Sequence, residues 1–159
     1  MKCAERAKEA GFDGVEIIGS AGYLISQFLS PLRNKRSDEY GGNFDNRVRF
    51  VREIIEQMRS RLGTDYPITI RMAGNDFVSG SNTDMETSAF AKVYEKAGID
   101  AINVTGGWHE SRVPQITMAL PRGGFAYLAQ SIKEKGNYSA FPNIIKGHTK
   151  EEAENNLQN

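Results

Sequence analysis

Cysteine occurs once in this chain, at Cys3, histidine twice and tryptophan once, and 20 basic residues are balanced by 20 acidic ones. A single thiol excludes an intramolecular disulfide and a cysteine-rich metal site built from this chain alone, and it fits a reducing compartment. Zero formal net charge removes the electrostatic case for a nucleic-acid or anionic-membrane partner. No apolar run approaches the ~20 residues that span a bilayer. Met1-Lys-Cys-Ala-Glu-Arg6 reads as the start of a charged helix rather than a secretory signal, so a cytoplasmic address is expected. With 39% apolar residues over 159 positions, the composition is that of an ordinary globular protein.

What is present is a regular alternation of elements. Ala4 to Ala10 reads as a helix stopped by Gly11, and Gly14 to Ile18 as a strand. A long loop rich in glycine, proline, asparagine and charge is expected from Gly19 to about Asn43. Phe50, Val51, Ile54, Ile55, Met58 and Leu62 recur at helical spacing within Phe44 to Leu62, before Gly63. Pro67 to Met72 reads as a strand, and Thr83 to Ala97 as a helix, with Thr83 and Glu86 spaced as a capping box and Gly98 behind it. Ala101 to Thr105 is a β-branched strand, Gly124 to Lys135 a helix, Asn143 to Lys146 a strand and Thr149 to Leu157 a last helix. Each connection is long enough for a right-handed crossover to a parallel neighbour, which makes the class α/β. The recurring Ala10-Gly-Phe-Asp13 and Ala97-Gly-Ile-Asp100 hinges suggest repeated units, and no strand runs into Gly-x-Gly-x-x-Gly, so a (β/α)8 barrel is favoured over a Rossmann sheet.

Three side chains stand out at strand ends, where α/β enzymes keep their chemistry. His109 lies in Asn103-Val-Thr-Gly-Gly-Trp-His-Glu-Ser-Arg-Val-Pro114, directly after a strand, and imidazole is the side chain that exchanges protons near neutral pH. A histidine that only hydrogen-bonds within its loop is the plainer alternative. Tyr23 follows the first strand in Gly19-Ser-Ala-Gly-Tyr-Leu24, where the glycines permit a tight turn over the strand ends, although a loop tyrosine can equally be packing. Arg71 closes Ile68-Thr-Ile-Arg-Met72 and either pairs with an acid or serves a ligand. Arg33, Lys35, Arg36, Asp38, Glu39, Asp45, Arg47 and Arg49 alternate in sign and read as an ion-paired loop anchored to the next helix, able to hold Tyr23 in place. No histidine or carboxylate pair has metal-ligand spacing, and no metal is expected.

The run from Ala7 through Gly14-Val-Glu-Ile-Ile18 and Ser30-Pro-Leu-Arg-Asn-Lys-Arg-Ser-Asp-Glu-Tyr-Gly-Gly42, followed by Asn46-Arg47 and Arg49-Phe50, resembles the old yellow enzyme family of flavin oxidoreductases. Gly106-Gly-Trp-His-Glu-Ser-Arg-Val-Pro114 and Pro121-Arg-Gly-Gly-Phe125 are similar to the Gly-Trp-His-Glu-Ala-Arg-x-Pro and Pro-Arg-Gly-Ala-Phe of its 2,4-dienoyl-CoA reductase branch.

That resemblance implies a partial TIM (β/α)8 barrel over residues 1–159, with the strands at Gly14, Ile68, Ala101 and Asn143 as barrel strands 4 to 7. Strands 1 to 3 and 8 are absent, as are the iron–sulfur, FAD and NADPH segments of full-length relatives. It implies FMN in the complete barrel, with FAD, a 4Fe–4S cluster and NAD(P)H in the parent enzyme. The activity implied is reduction of a conjugated C=C in an acyl-CoA-type substrate, within fatty-acid β-oxidation chemistry. Tyr23 would be the proton donor, His109 its relay, and Arg71 the cation facing the flavin pyrimidine edge. The family's phosphate-binding arginine after strand 7 is missing from Lys146-Gly-His-Thr149, leaving Lys146 or His148 as its substitutes. Ile18 and Ala21 replace the paired His or His/Asn carbonyl binders of many ene-reductases, and Ala21 also replaces an acidic residue found in close dienoyl-CoA reductases. Two open sheet edges call for the remainder of the barrel or for self-association, and the isolated segment is expected not to retain FMN. Amine oxidation, steroid-thioester reduction and a non-catalytic fragment remain the alternatives.

Overall fold

Helix periodicity and end signals decide most of the elements. In the computed structural model, which describes residues 2–113, 121 and 123–134 and the backbone of 139–142, α1 spans Lys2–Glu9 and β1 Val15–Gly19. The chain continues through α2 (Leu24–Leu29), α3 (Phe44–Leu62), β2 (Ile68–Ala73), α4 (Asp84–Ala97), β3 (Ala101–Thr105), α5 (Ala126–Lys133) and β4 (Ser139–Pro142). α3 begins where the Asn43 side chain accepts the Asn46 N–H at 2.9 Å and ends at Gly63, whose φ of 82° a side chain would resist. The capping box opens α4 as the spacing predicts, with the Thr83 N–H donating to the Glu86 carboxylate at 3.1 Å, and Gly98 closes it in the left-handed region.

The strands form one parallel sheet in the order β1-β2-β3-β4. Each new strand adds to the same edge, which is how a barrel grows, whereas a doubly wound sheet reverses direction at its middle. The strand expected at Asn143–Lys146, the helix at Thr149–Leu157, and Lys146 and His148 lie outside the described residues. The strand that pairs with β3 is Ser139–Pro142.

The register sorts side chains onto two unlike faces. Ile17, Ile70, Ile102, Met72 and Val104 point toward the helices, where Val51, Ile55, Phe90, Tyr94 and Leu128 complete the core. Phe44 and Phe90 stack at 4.8 Å and join α3 to α4. Burying each such aliphatic or aromatic side chain contributes roughly 1.5–3 kcal/mol, so this face carries the stability. On the other face the aligned positions are Glu16 and Ile18, Thr69 and Arg71, Asn103 and Thr105. Among the described residues no helix covers that face, and most of these positions are polar.

The expectation of an unbroken loop from Gly19 to Asn43 is corrected by α2, which buries Ile25, Ser26 and Leu29. Six residues are too short to show a helical period, and this helix is held by tertiary contacts. The Ser26 hydroxyl donates to the Gly19 carbonyl at 3.2 Å, and Asn34 donates to the Phe28 and Tyr40 carbonyls at 2.7 and 2.6 Å. The charged loop is ion-paired as expected at Arg36–Asp38, and Arg47 reaches Glu86 of α4. Arg33 pairs outside the cluster, with Glu110 beside His109.

Candidate active site

The C-terminal ends of β1, β2 and β3 each feed a loop, and the loops meet. After β1 the backbone turns sharply through Ala21 (φ 64°) and Gly22 (φ 87°) before Tyr23 caps α2. Ala21 forms a parallel bridge to Trp108 in the loop after β3. A Cβ on Gly22 would lie 3.3 Å from the Trp108 ring, so glycine there permits the close approach. Trp108 is itself buried, and its N–H donates to the Asp76 carbonyl at 3.1 Å, while Gly107 donates to the Asn75 carbonyl at 2.9 Å. Gly106 admits the Phe125 ring, which a Cβ would meet at 2.7 Å.

These contacts bring together two of the three residues singled out in the sequence. The Tyr23 and His109 rings stand edge to face with centroids 5.4 Å apart at 73°. Tyr23 remains 55% exposed, so its phenol is accessible to a ligand at the mouth. The Arg33–Glu110 ion pair links the chain beyond α2 to the residue after His109.

Arg71 lies within β2 on the polar face, in register with Ile18 on one side and Asn103 on the other. Its Nε is 3.2 Å from Glu16 Oε1, and Asn103 Nδ2 donates to Glu16 Oε2 at 3.1 Å. Arg71 Nε is buried against Glu16 as an ion pair, and Asn103 Oδ1 is buried without a hydrogen-bond partner. The face therefore presents a guanidinium held by Glu16 beside a carboxamide, a combination that suits a planar heterocycle bearing both a carbonyl and an N–H. Glu16 and Asn103 were not singled out in the sequence. The available signal was a polar residue at alternate positions of otherwise β-branched runs, which identifies a face only once the register is known.

Asp76, in the loop after β2, is a third residue that motif reading passes over. It is buried, and its Oδ2 accepts from Ser81 Oγ at 2.6 Å and from the Asn82 backbone and side-chain nitrogens at 3.1 and 3.0 Å. Burial pushes its carboxyl above the ordinary range, opposed by the hydrogen bonds from Ser81 and Asn82. The Trp108 indole N–H also favours the charged form without meeting hydrogen-bond geometry.

Residues 1–156 match the model of the NADH:flavin oxidoreductase / NADH oxidase family. A metal reductase of Desulforamulus reducens is 61% identical over 133 residues, which cover 84% of this chain and 20% of that protein. An NADH oxidase of Thermoanaerobacter brockii is 44% identical over 138 residues, covering 86% and 21%. Among solved structures, a 2-naphthoyl-CoA reductase in complex with 2-naphthoyl-CoA superposes with a TM-score of 0.86 at 37% identity, over 98% of this chain and 24% of the other. Histamine dehydrogenase from Rhizobium sp. 4-9 superposes with a TM-score of 0.73 at 28% identity, over 89% of this chain and 20% of its own. The chain thus spans about a fifth of the length of the first curated relatives it matches. By sequence and by strand order alike, the chain belongs to the NADH:flavin oxidoreductase / NADH oxidase family, and its fold is part of a TIM (β/α)8 barrel.

Proposed function

We propose that the protein carrying this segment is an FMN-dependent NAD(P)H oxidoreductase that reduces a conjugated C=C of a CoA thioester, a 2,4-dienoyl-CoA or a related unsaturated acyl-CoA. The observation that carries the reading is the Tyr23–His109 pair, standing at the strand ends where the polar sheet face opens. The Arg71 guanidinium and the Asn103 carboxamide fit the edge of a flavin pyrimidine ring, and Glu16 orients both side chains. When bound, FMN accepts electrons from NAD(P)H and supplies the hydride.

The chain's own residues supply orientation and protons. Tyr23 Oη donates a proton to the substrate carbon beside the one that receives the hydride, and the His109 imidazole replaces it. Trp108, bridged to Ala21 and packed under Gly22, ties together the two loops that carry these side chains. Ile18 is 46% exposed on the polar face and donates no hydrogen bond, so a small ketone finds no carbonyl partner there. A thioester can recover binding through its large remote CoA moiety. The similarity to a reductase solved with 2-naphthoyl-CoA supports the thioester class. NAD(P)H as reductant and a lone exposed thiol at Cys3 fit a cytoplasmic address.

A second reading, reduction of a dissolved metal ion, is favoured by the 61% identity to the D. reducens metal reductase. The test is turnover of the purified full-length flavoprotein on 2,4-dienoyl-CoA, cyclohexenone, histamine and ferric citrate, with NADH and NADPH each as donor. The thioester should lead in kcat/KM. A lead for ferric citrate would transfer the assignment to metal reduction, and a lead for histamine to amine oxidation.

A further inference from the structure

A chain of buried hydroxyls and one carboxylate runs beneath the mouth. Ser30, the residue that ends α2, places its Oγ 2.8 Å from Ser81 Oγ, and Ser81 Oγ is 2.6 Å from Asp76 Oδ2. Asp76 Oδ2 accepts two further bonds from Asn82, and the Asp76 N–H donates back to the Asn82 carbonyl at 3.1 Å. Because Ser81 gives its proton to Asp76, Ser30 must give its own to Ser81. The donors are therefore ordered toward the carboxylate, and all four residues are buried.

Each end of this chain is tied to a segment that carries a proposed reacting side chain. At one end is α2, whose first residue follows Tyr23, and at the other the Asp76 carbonyl receives the Trp108 N–H, one residue before His109. The void beside Asp76, Asn82, Thr87 and Phe90 measures about 10 Å³, the lower limit for a single water. The carboxylate is thus walled off from ligands and acts on its protein neighbours. The exposed Arg33–Glu110 pair spans the same two loops, but water and salt screen a pair of that kind. The three donors to Asp76 Oδ2 are buried and would lose their acceptor without it, so the buried link dominates.

We propose that Asp76 is a positioning residue for proton delivery: through Ser81 and Ser30 on one side and Trp108 on the other, it fixes Tyr23 relative to His109. The inference rests on the proposed roles of those two residues. The test uses the full-length, FMN-loaded protein and separates its two half-reactions by stopped flow. Asp76→Ala should slow flavin reoxidation by dienoyl-CoA by roughly 10- to 100-fold while leaving flavin reduction by NAD(P)H within about 3-fold. Asp76→Asn keeps an oxygen for all three donors to Oδ2 and should restore most of the rate. On a Tyr23→Phe background, Asp76→Ala should add less than about 3-fold, because the group it positions is already gone.

Equal loss in both half-reactions, or full additivity with Tyr23→Phe, overturns the inference and leaves the functional reading intact. Normal turnover of Tyr23→Phe alone removes the functional reading and the inference with it. Should Asp76→Ala fail to load flavin, Ser81→Ala decides: it breaks the link to α2 and should slow reoxidation by roughly 3- to 10-fold, and an unchanged rate counts against the proposal.

Discussion

Tyr23 stands edge to face with His109, 5.4 Å between ring centroids, although one follows β1 and the other follows β3. Nothing in either loop alone creates the pair. It exists because Gly22 lets Trp108 slide beneath the first loop and carry its neighbour alongside. In the full-length enzyme, Tyr23→Phe should lower turnover by roughly 10²- to 10⁴-fold with flavin reduction near normal. His109→Ala should cost about 10-fold, since solvent can take over reprotonation at so exposed a site. Stopped-flow half-reactions measure both, and equal slowing of both halves would make Tyr23 structural.

Arg71 shares its charge with Glu16 at 3.2 Å. A fixed cation near the flavin stabilises its reduced anionic form, so Arg71→Leu should lower the flavin reduction potential by roughly 20–50 mV, equivalent to ~1–2 kcal/mol. Glu16→Gln should move it upward by a smaller amount, because it exposes the same cation. Spectroelectrochemical titration of the two variants gives the signs. A pair of unchanged potentials would detach this face from the flavin.

The Arg33–Glu110 pair is largely solvent-exposed, with side-chain exposures of 47% and 59%. Turning it into a like-charge contact with Arg33→Glu should cost about 1 kcal/mol and at most about 3-fold in turnover, with the difference fading from ~0.05 to ~0.5 M salt. Thermal melts and turnover across that salt range check the expectation. A salt-independent loss of a hundredfold would mean that the pair does more than tether two loops.

Substrate preference should follow Ile18 and Ala21. Ile18 projects from the polar face, and Ala21 holds φ 64°, a conformation that histidine tolerates better than most side chains. The combined Ile18→His and Ala21→His change should raise cyclohexenone kcat/KM relative to dienoyl-CoA by roughly 10-fold, as two new hydrogen bonds of ~0.5–1.5 kcal/mol reach a ketone oxygen. An unchanged ratio would show that selectivity is set elsewhere.

Local signals were legible and long-range ones were not. The capping box of α4, the glycine stop of α3 and the alternation that selects α/β are each written within a few neighbouring residues, and the structure follows them. Tyr23, His109 and Arg71 stood out by their place at strand ends, which left them open between chemistry and packing until the family resemblance implied roles for them. α2 escaped notice because its six residues lie between glycines and a proline and owe their helix to packing. The partner of Arg33 lies in the loop beyond β3, and the Asp76 network joins Ser30 in the β1–β2 connection to Ser81 in the β2–β3 connection. Pairings of that kind depend on register and loop geometry, which no window of the sequence contains.

The sheet's two faces have separate obligations. The helix side must interlock Ile70, Ile102, Phe90 and Leu128 at crystal-like density, where even a methylene matters. The side bearing Glu16, Arg71 and Asn103 contributes little to that interlocking, so exchanges there should leave the scaffold's melting behaviour largely untouched while rewriting what it recognises. A lineage built this way can drift in chemistry without renegotiating its architecture.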